Sequence, residues 1–221
     1  MNVVNMRPPV SEPIAVLSDI HGQLTALDAV VDAVRHRGVS RIYVAGDLLT
    51  DGPEPLGVWR RLQELDAKCT RGLSDSALCT IDPSSLKPST DEEREKAEAF
   101  LQTRNAVGEL VLAALRKLPL SLRLPMLDGS EMVMAHGTPS DPYTELTQEM
   151  DDEELARLVD DDPADIVAVG ASHVPFQRVL EEVHVINVGS VGAAPEGNVS
   201  HFTVITPAYG GATIEQDWLE Y

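Results

Sequence analysis

Five short segments of the chain contain aspartate or histidine in arrangements that can bind metal ions. They read S-D-I-H-G (18–22), A-G-D (45–47), R-G-L-S-D (71–75), M-A-H-G (134–137) and V-G-A-S-H (169–173). Mixed imidazole and carboxylate ligands suit zinc, manganese or iron, whereas calcium prefers oxygen ligands. The residue types therefore predict a site for a divalent transition metal.

The candidate ligands follow segments that predict buried β-strands. Apolar runs indicate strands at 14–17, 41–45, 131–135 and 166–169. In open α/β sheets, ligands bind at the carboxyl ends of the strands, where the sheet holds the backbone rigid. We therefore expect a single crevice to contain the side chains of Asp19, His21, Asp47, His136 and His173.

Each segment alone is weak evidence, because Asp-x-His and Gly-Asp are common and a lone histidine after a strand is usually structural. The ordered set is specific, as are its flanks, which include Gly52-Pro53, Thr138-Pro139, Val174-Pro175 and N-V-G-S-V-G at 187–192. From 14 to 192 the chain resembles the calcineurin-like metallophosphoesterases of the bacterial single-domain branch. Their series is D-x-H, G-D, G-N-H-D, H-G and G-H-x-H.

The resemblance implies an α/β fold with two facing mixed β-sheets flanked by helices, a four-layer sandwich. It also implies two metal sites. The first site is complete here and consists of Asp19, His21, Asp47 and His173. The second site of the family uses the bridging aspartate, the asparagine of G-N-H-D, the isolated histidine and the first histidine of G-H-x-H. Only Asp47 and His136 remain of that set.

Leu73 and Ala171 stand where the family has the other two ligands of the second site. Neither side chain can bind a cation, and neither position belongs to the first site. Ser74 also replaces a histidine that assists the leaving group in many members. Each lost electrostatic contact commonly costs about 10²–10³ in rate. We therefore expect one manganese, zinc or iron ion per chain, and weak or no phosphoester hydrolysis.

Two other interpretations stay open. In one, the chain is a catalytically dead family member that acts as a binding or regulatory scaffold for a small phosphorylated ligand or a protein partner. In the other, the fold is kept while His21 and His173 have only structural roles. No residue can be assigned a catalytic role from the sequence.

Composition limits the class of protein. The 221 residues are 43% apolar and fit a single domain spanning 1–221. The net charge of −19 repels other polyanions and argues against nucleic-acid binding.

Cys69 and Cys79 lie outside any C-x-x-C spacing, so we expect reduced thiols and a cytoplasmic location. The N-terminus lacks the apolar region of a signal peptide, and no apolar run approaches the roughly 20 residues that a membrane span needs.

The middle of the chain predicts a helical insertion at 82–119. Thr90 and Glu93 form a capping-box pattern, and apolar residues continue at helical spacing to Leu118. One long helix and two helices broken near 105–108 fit the pattern equally well. A lid over the strand ends and an insertion packed on the side of the fold are also equally compatible with it.

Outside the insertion, the pattern predicts helices at 24–37 and 56–65 and a third strand at 67–71. A short helix is expected from Met150, and a strand at 183–188. Near the end of the chain, 202–205 and 212–215 are expected to form an antiparallel pair. The alternation β-α-β-α-β at the start favours an α/β core with parallel strands.

Overall fold

Two five-stranded β-sheets carry the fold in the computed structural model, which describes residues 8–160, 162–181 and 183–221. The strands are β1 (Ile14–Leu17), β2 (Arg41–Val44), β3 (Lys68–Cys69), β4 (Ser121–Pro125), β5 (Glu131–Ala135), β6 (Ile166–Val169), β7 (Phe176–Val179), β8 (His184–Asn187), β9 (Val199–Ala208) and β10 (Gly211–Glu220). The helices are α1 (Leu24–His36), α2 (Pro55–Glu64), α3 (Leu73–Thr80), α4 (Asp91–Leu115) and α5 (Asp152–Val159).

The first sheet has the strand order β10-β9-β1-β2-β3. Strands β1, β2 and β3 are parallel, as the β-α-β pattern predicts, and Ile14 pairs with Arg41. On the other side of β1 runs β9, antiparallel, and β10 pairs with β9 along its full length. This hairpin confirms the predicted closing pair and extends beyond it in both strands.

The second sheet has the order β4-β5-β6-β8-β7. Its central strands β5, β6 and β8 are parallel, while the edge strands β4 and β7 run antiparallel to their neighbours. Both sheets are therefore mixed. The carboxyl ends of β1 and β2 in one sheet and of β5 and β6 in the other supply the segments that contain the candidate ligands.

Side-chain alternation along β1 shows how the layers pack. Ile14 and Val16 belong to a buried cluster between the two sheets, together with Met132 and Met134 of β5. Ala15 and Leu17 point to the opposite face and join the core beneath α1, α2, α3 and α4. The outer face of the second sheet packs against α5. The predicted α/β fold of two facing mixed sheets flanked by helices is confirmed.

Helix α4 begins with the capping box that the sequence predicts. The side chain of Thr90 accepts a hydrogen bond from the Glu93 amide at 3.1 Å, and the Glu93 carboxylate accepts one from the Thr90 amide at 3.2 Å. Gly108 interrupts the helix with a φ of 73°, a conformation that glycine adopts without steric cost. The insertion therefore consists of two helical halves that meet at a kink, and it packs against α2 and α3.

Three of these strands and α-helices have no counterpart in the sequence prediction, namely α3, β4 and β7. The other predicted strands and helices are present, with ends that differ by a few residues. Cys69 and Cys79 are free thiols and both are buried. None of the helices in the described part of the chain combines the length and the apolar character that crossing a membrane requires.

Candidate metal centre

The structure brings Asp19, His21 and His173 together at the ends of strands from both sheets. Oδ1 of Asp19 lies 3.0 Å from Nε2 of His173 and 3.5 Å from Nε2 of His21. The two Nε2 atoms are 3.4 Å apart. Three potential ligand atoms thus surround one small volume, although their residues are up to 154 positions apart in the sequence.

Asp47 and His136 form a second group with Asp19. Oδ2 of Asp47 lies 3.5 Å from Nε2 of His136, and one ligand atom from each of the three residues lies within 4.8 Å of the others. Asp19 is thus the residue common to the two groups, whereas the family resemblance gives the bridging role to Asp47. That Asp47 completes the His21 and His173 set stays a prediction.

The backbone is left-handed at all four residues of the predicted first site. The φ angles are 54° for Asp19, 50° for His21, 52° for Asp47 and 62° for His173. Residues other than glycine seldom adopt this conformation, which costs about 1–3 kcal/mol each when the surroundings impose it. Such residues concentrate at functional sites, so their coincidence with the predicted ligands supports a functional role.

Backbone hydrogen bonds fix this conformation. The Asp19 amide donates to the Gly46 carbonyl at 3.0 Å, and the His21 amide donates to the Asp47 carbonyl at 3.1 Å. The turn after β1 is therefore tied to the turn after β2, which fixes the positions of their carboxylates relative to each other.

The three imidazoles are oriented by contacts at their Nδ1 atoms. Nδ1 of His136 lies 3.0 Å from the Ala45 carbonyl oxygen, and Nδ1 of His173 lies 2.9 Å from that of Ala193. A ring whose Nδ1–H donates to a carbonyl presents the Nε2 lone pair on its other side, as metal-binding histidines commonly do. The Nε2 atoms of both rings face the candidate carboxylates.

His21 is oriented by two contacts at its Nδ1 atom. Oγ1 of Thr50 and Oδ2 of Asp51 each lie 3.4 Å from that atom. Asp51 also has a left-handed backbone, with a φ of 69°. Asp51 has no part in the site predicted from the sequence, and its contact with a candidate ligand became visible through the structure.

The Asp19 carboxylate is fully buried and, within the described ranges, neither of its oxygens accepts a hydrogen bond of normal geometry. A buried carboxylate without hydrogen-bond partners is costly unless a cation compensates its charge. Although burial opposes its charged form, the imidazoles of His173 and His21 hold the pKa of Asp19 well below its usual range. The carboxylate is therefore ionised and suited to a cation.

The same contacts change the pKa of the histidines. Burial opposes the charged imidazole, but Asp19 and Asp51 together raise the pKa of His21 to about 10. The pKa of His173 is also raised, because the attraction of Asp19 outweighs burial. Positive charge is therefore favoured where these rings meet Asp19, and a metal ion could supply that charge in place of protons.

Asp75 is a structural part of the site that the sequence interpretation did not single out. Its side chain is fully buried and accepts hydrogen bonds from the Leu48 and Gly72 amides, both at 3.1 Å. Burial and the nearby negative charge of Asp47 raise the pKa of Asp75 to about 7. The carboxylate joins the start of α3 to the turn that contains Asp47.

A cleft of about 310 Å³ opens above the candidate ligands. Leu73 and Ala171 line it, and Leu73 is 54% exposed. Tyr143 and Glu145 also line the cleft, and the Tyr143 hydroxyl donates to Oγ of Ser76 at 3.2 Å. Both lie in an irregular segment after β5 that has no recognisable spacing, so no sequence signal identifies them.

Comparison with known proteins identifies the family to which this chain belongs. Residues 13–208 match the sequence model of the calcineurin-like phosphoesterase superfamily domain. The chain belongs to this superfamily. An uncharacterised protein of Methanocaldococcus jannaschii is 28% identical over 206 residues, which cover 85% of this chain and 79% of that protein.

Solved structures of the same fold include a metallophosphoesterase from Sphaerobacter thermophilus. It has a TM-score of 0.74 and 23% identity, covering 96% of this chain and 89% of that one. A hypothetical protein from Pyrococcus horikoshii has a TM-score of 0.78 and 19% identity, covering 94% and 87%. At identities of 19% and 23%, these comparisons show a shared fold and nothing further.

The residues present fit a divalent metal ion. Members of the superfamily are typically dependent on divalent metals, and this chain contains two groups of candidate ligands at the expected strand ends. The buried Asp19 carboxylate, whose oxygens accept no hydrogen bond of normal geometry among the described residues, and the oriented Nε2 atoms are donors of the type that such an ion requires.

Proposed function

We propose that the chain is a metallophosphoesterase-like protein that binds one divalent transition metal ion, manganese, zinc or iron, at the first site. The proposed ligands are Asp19, His21, Asp47 and His173. The observation that carries the proposal is the Asp19 carboxylate, which is buried, accepts no hydrogen bond of normal geometry among the described residues and lies within 3.5 Å of two Nε2 atoms.

The second site is proposed to be incomplete. Leu73 and Ala171 line the cleft beside Asp47 and His136, at the positions where the family resemblance expects ligands. One shared carboxylate and one imidazole hold a metal weakly unless water or a ligand provides the remaining contacts. A phosphate group would therefore meet one cation, so we infer weak or no phosphoester hydrolysis.

A bound divalent ion supplies charge stabilisation for a phosphate and acidifies a water molecule. The residues of the chain orient and fix the site. The Ser74 amide donates to Oδ1 of Asp47 at 2.9 Å and holds that carboxylate at the start of α3. Oγ of Ser74 is buried and has no hydrogen-bond partner in the described part of the chain. A hydroxyl is a poor proton donor to a leaving group, which is consistent with slow turnover.

A second candidate function is that of a catalytically dead binding or regulatory scaffold. Its ligand would be a small phosphorylated molecule or a protein partner, with no role for nucleic acid or a membrane. Leu73 and Tyr143, which are 54% and 46% exposed at the cleft, support this alternative because they offer apolar contact surface beside the candidate ligands.

The double variant Leu73→Asn with Ala171→His tests the incomplete second site. It restores both missing ligand types, so metal content should rise towards two ions per chain and phosphodiester hydrolysis with manganese should increase by about 10²-fold. The matched control is Leu110→Asn with Ala113→His, two exposed positions on α4. If neither metal content nor turnover changes in Leu73→Asn with Ala171→His, then Leu73 and Ala171 are not what limits metal binding and hydrolysis.

A further inference from the structure

We propose that a groove beside the candidate metal centre binds the aromatic group of a small phosphate monoester. The groove, termed the α4 groove, is formed by α3, the turn at 50–51 and the N-terminal half of α4. This inference rests on the proposed function, since the phosphate of such a ligand would lie at the metal centre. It gives the helical insertion a role as one wall of a ligand site.

The α4 groove adjoins the metal cleft and shares part of its lining. Asp51 and Ser74 line both spaces. Thr50 lines the groove too, and its Oγ1 atom lies 3.4 Å from Nδ1 of His21. A ligand with its phosphate at the candidate metal ligands would therefore project its organic group into the groove. The groove volume of about 500 Å³ is large enough for one ring system.

The walls of the α4 groove are largely apolar and contain one aromatic side chain. Ala77 of α3 and both Ala99 and Phe100 of α4 line the groove. Phe100 is partly buried and packs against the core beneath the first sheet, which restricts its ring. Aromatic pairs gain free energy beyond that of the buried area alone, so a ring in the ligand would be favoured over a small alkyl group.

Charge at the rim of the α4 groove favours a neutral organic group. Asp51 and Glu95 contribute two carboxylates. Lys96 is the cationic side chain that lines the groove, and its Nζ atom already lies 2.6 Å from Oε1 of Glu92. A second phosphate in the groove would meet net negative charge, so a monoester is favoured over a polyphosphate.

Calorimetric titration of the full chain with manganese tests the proposal. The probes are phenyl phosphate with methyl phosphate as its control, and adenosine monophosphate with ribose 5-phosphate as its control. We expect each aromatic ester to bind about three- to tenfold more tightly than its control. Tighter binding of adenosine monophosphate than of phenyl phosphate would indicate that the groove accepts a nucleoside. The reverse order would indicate that it accepts a simple aryl group.

Two variants test whether the preference for an aromatic group originates in the α4 groove. Phe100→Ala removes the ring, and Ala99→Leu fills the groove from an exposed position that does not contribute to the core. Both should abolish the preference while leaving the affinity for inorganic phosphate unchanged. Ala113→Leu, at an exposed position on α4 outside the groove, should keep the preference.

Equal or undetectable binding of the aromatic esters and their controls would overturn the proposal, as would a preference that survives Ala99→Leu. Metal content measured on the same samples separates the two proposals. A chain that binds no metal but still prefers the aromatic esters would contradict the proposed function and support the groove.

Discussion

Asp19 is the residue on which the candidate metal centre most depends. It belongs to both groups of potential ligands, it is fully buried, and its backbone is left-handed. Burial of the charge and the left-handed backbone both cost free energy. The neighbouring imidazoles compensate part of that cost, and a divalent cation would compensate more.

Replacement of His173 tests the ligand set. The variant His173→Ala removes the Nε2 atom that lies 3.0 Å from Asp19, so its affinity for manganese should fall by at least about tenfold. His36→Ala is the matched control, because His36 is exposed at the end of α1. Calorimetric titration measures both, and equal affinities would remove His173 from the ligand set.

Metal affinity should increase with pH. Asp19 and Asp51 raise the pKa of His21 to about 10 despite burial, so the ring carries a proton at neutral pH in the metal-free chain. The metal must displace that proton, and binding therefore strengthens as pH rises. The apparent affinity for manganese should increase by up to about tenfold from pH 6.5 to pH 7.5 for one displaced proton. A flat or falling profile would show that His21 does not release a proton on binding.

At the scale of elements, the strand ends determine which residues meet. The runs before Asp19, Asp47 and His136 are short, apolar and central to their sheets, and the sequence predicts them. The missed strands β4 and β7 are both at sheet edges. Strand β4 ends in a proline, which edge strands tolerate, and β7 reads F-Q-R-V without apolar alternation and buries only Phe176.

Helix α3 could not be predicted from apolar periodicity because it has eight residues and begins within the segment 71–75, which resembles a ligand loop. Its start is held by two tertiary hydrogen bonds, from the Leu48 amide to Asp75 and from the Ser74 amide to Asp47, and by the local bond from the Gly72 amide to Asp75. The candidate ligands were predictable through their order along the chain. Tyr143 and Glu145 were not, because only the three-dimensional path of the segment after β5 brings them to the cleft.

The close approach of α3 to the turn after β2 makes Gly72 sensitive to substitution. A Cβ atom at Gly72 would collide with the amide and carboxylate of Asp47. Gly72→Ala should therefore destabilise the chain by about 1–3 kcal/mol and weaken manganese binding. Gly210→Ala is the control, because a Cβ there has nothing within 4 Å. Thermal unfolding and metal titration of both variants measure the effect, and identical behaviour would refute the role of this contact.

At the scale of the whole molecule, the candidate centre joins the two sheets. Asp19 and Asp47 follow strands of the first sheet, whereas His136 and His173 follow strands of the second. The cluster of apolar residues between the sheets fixes the distance between these strand ends. The net charge of −19 would also attract divalent cations to the surface.

Metal content of the purified chain, measured after manganese loading and removal of free metal, is the most direct test of the proposed single site. It should be made beside hydrolysis of a generic phosphodiester and a generic phosphomonoester. We expect one ion per chain and little or no turnover, because Leu73 and Ala171 cannot complete a second site. Two tightly bound ions per chain with rapid turnover would contradict the proposal.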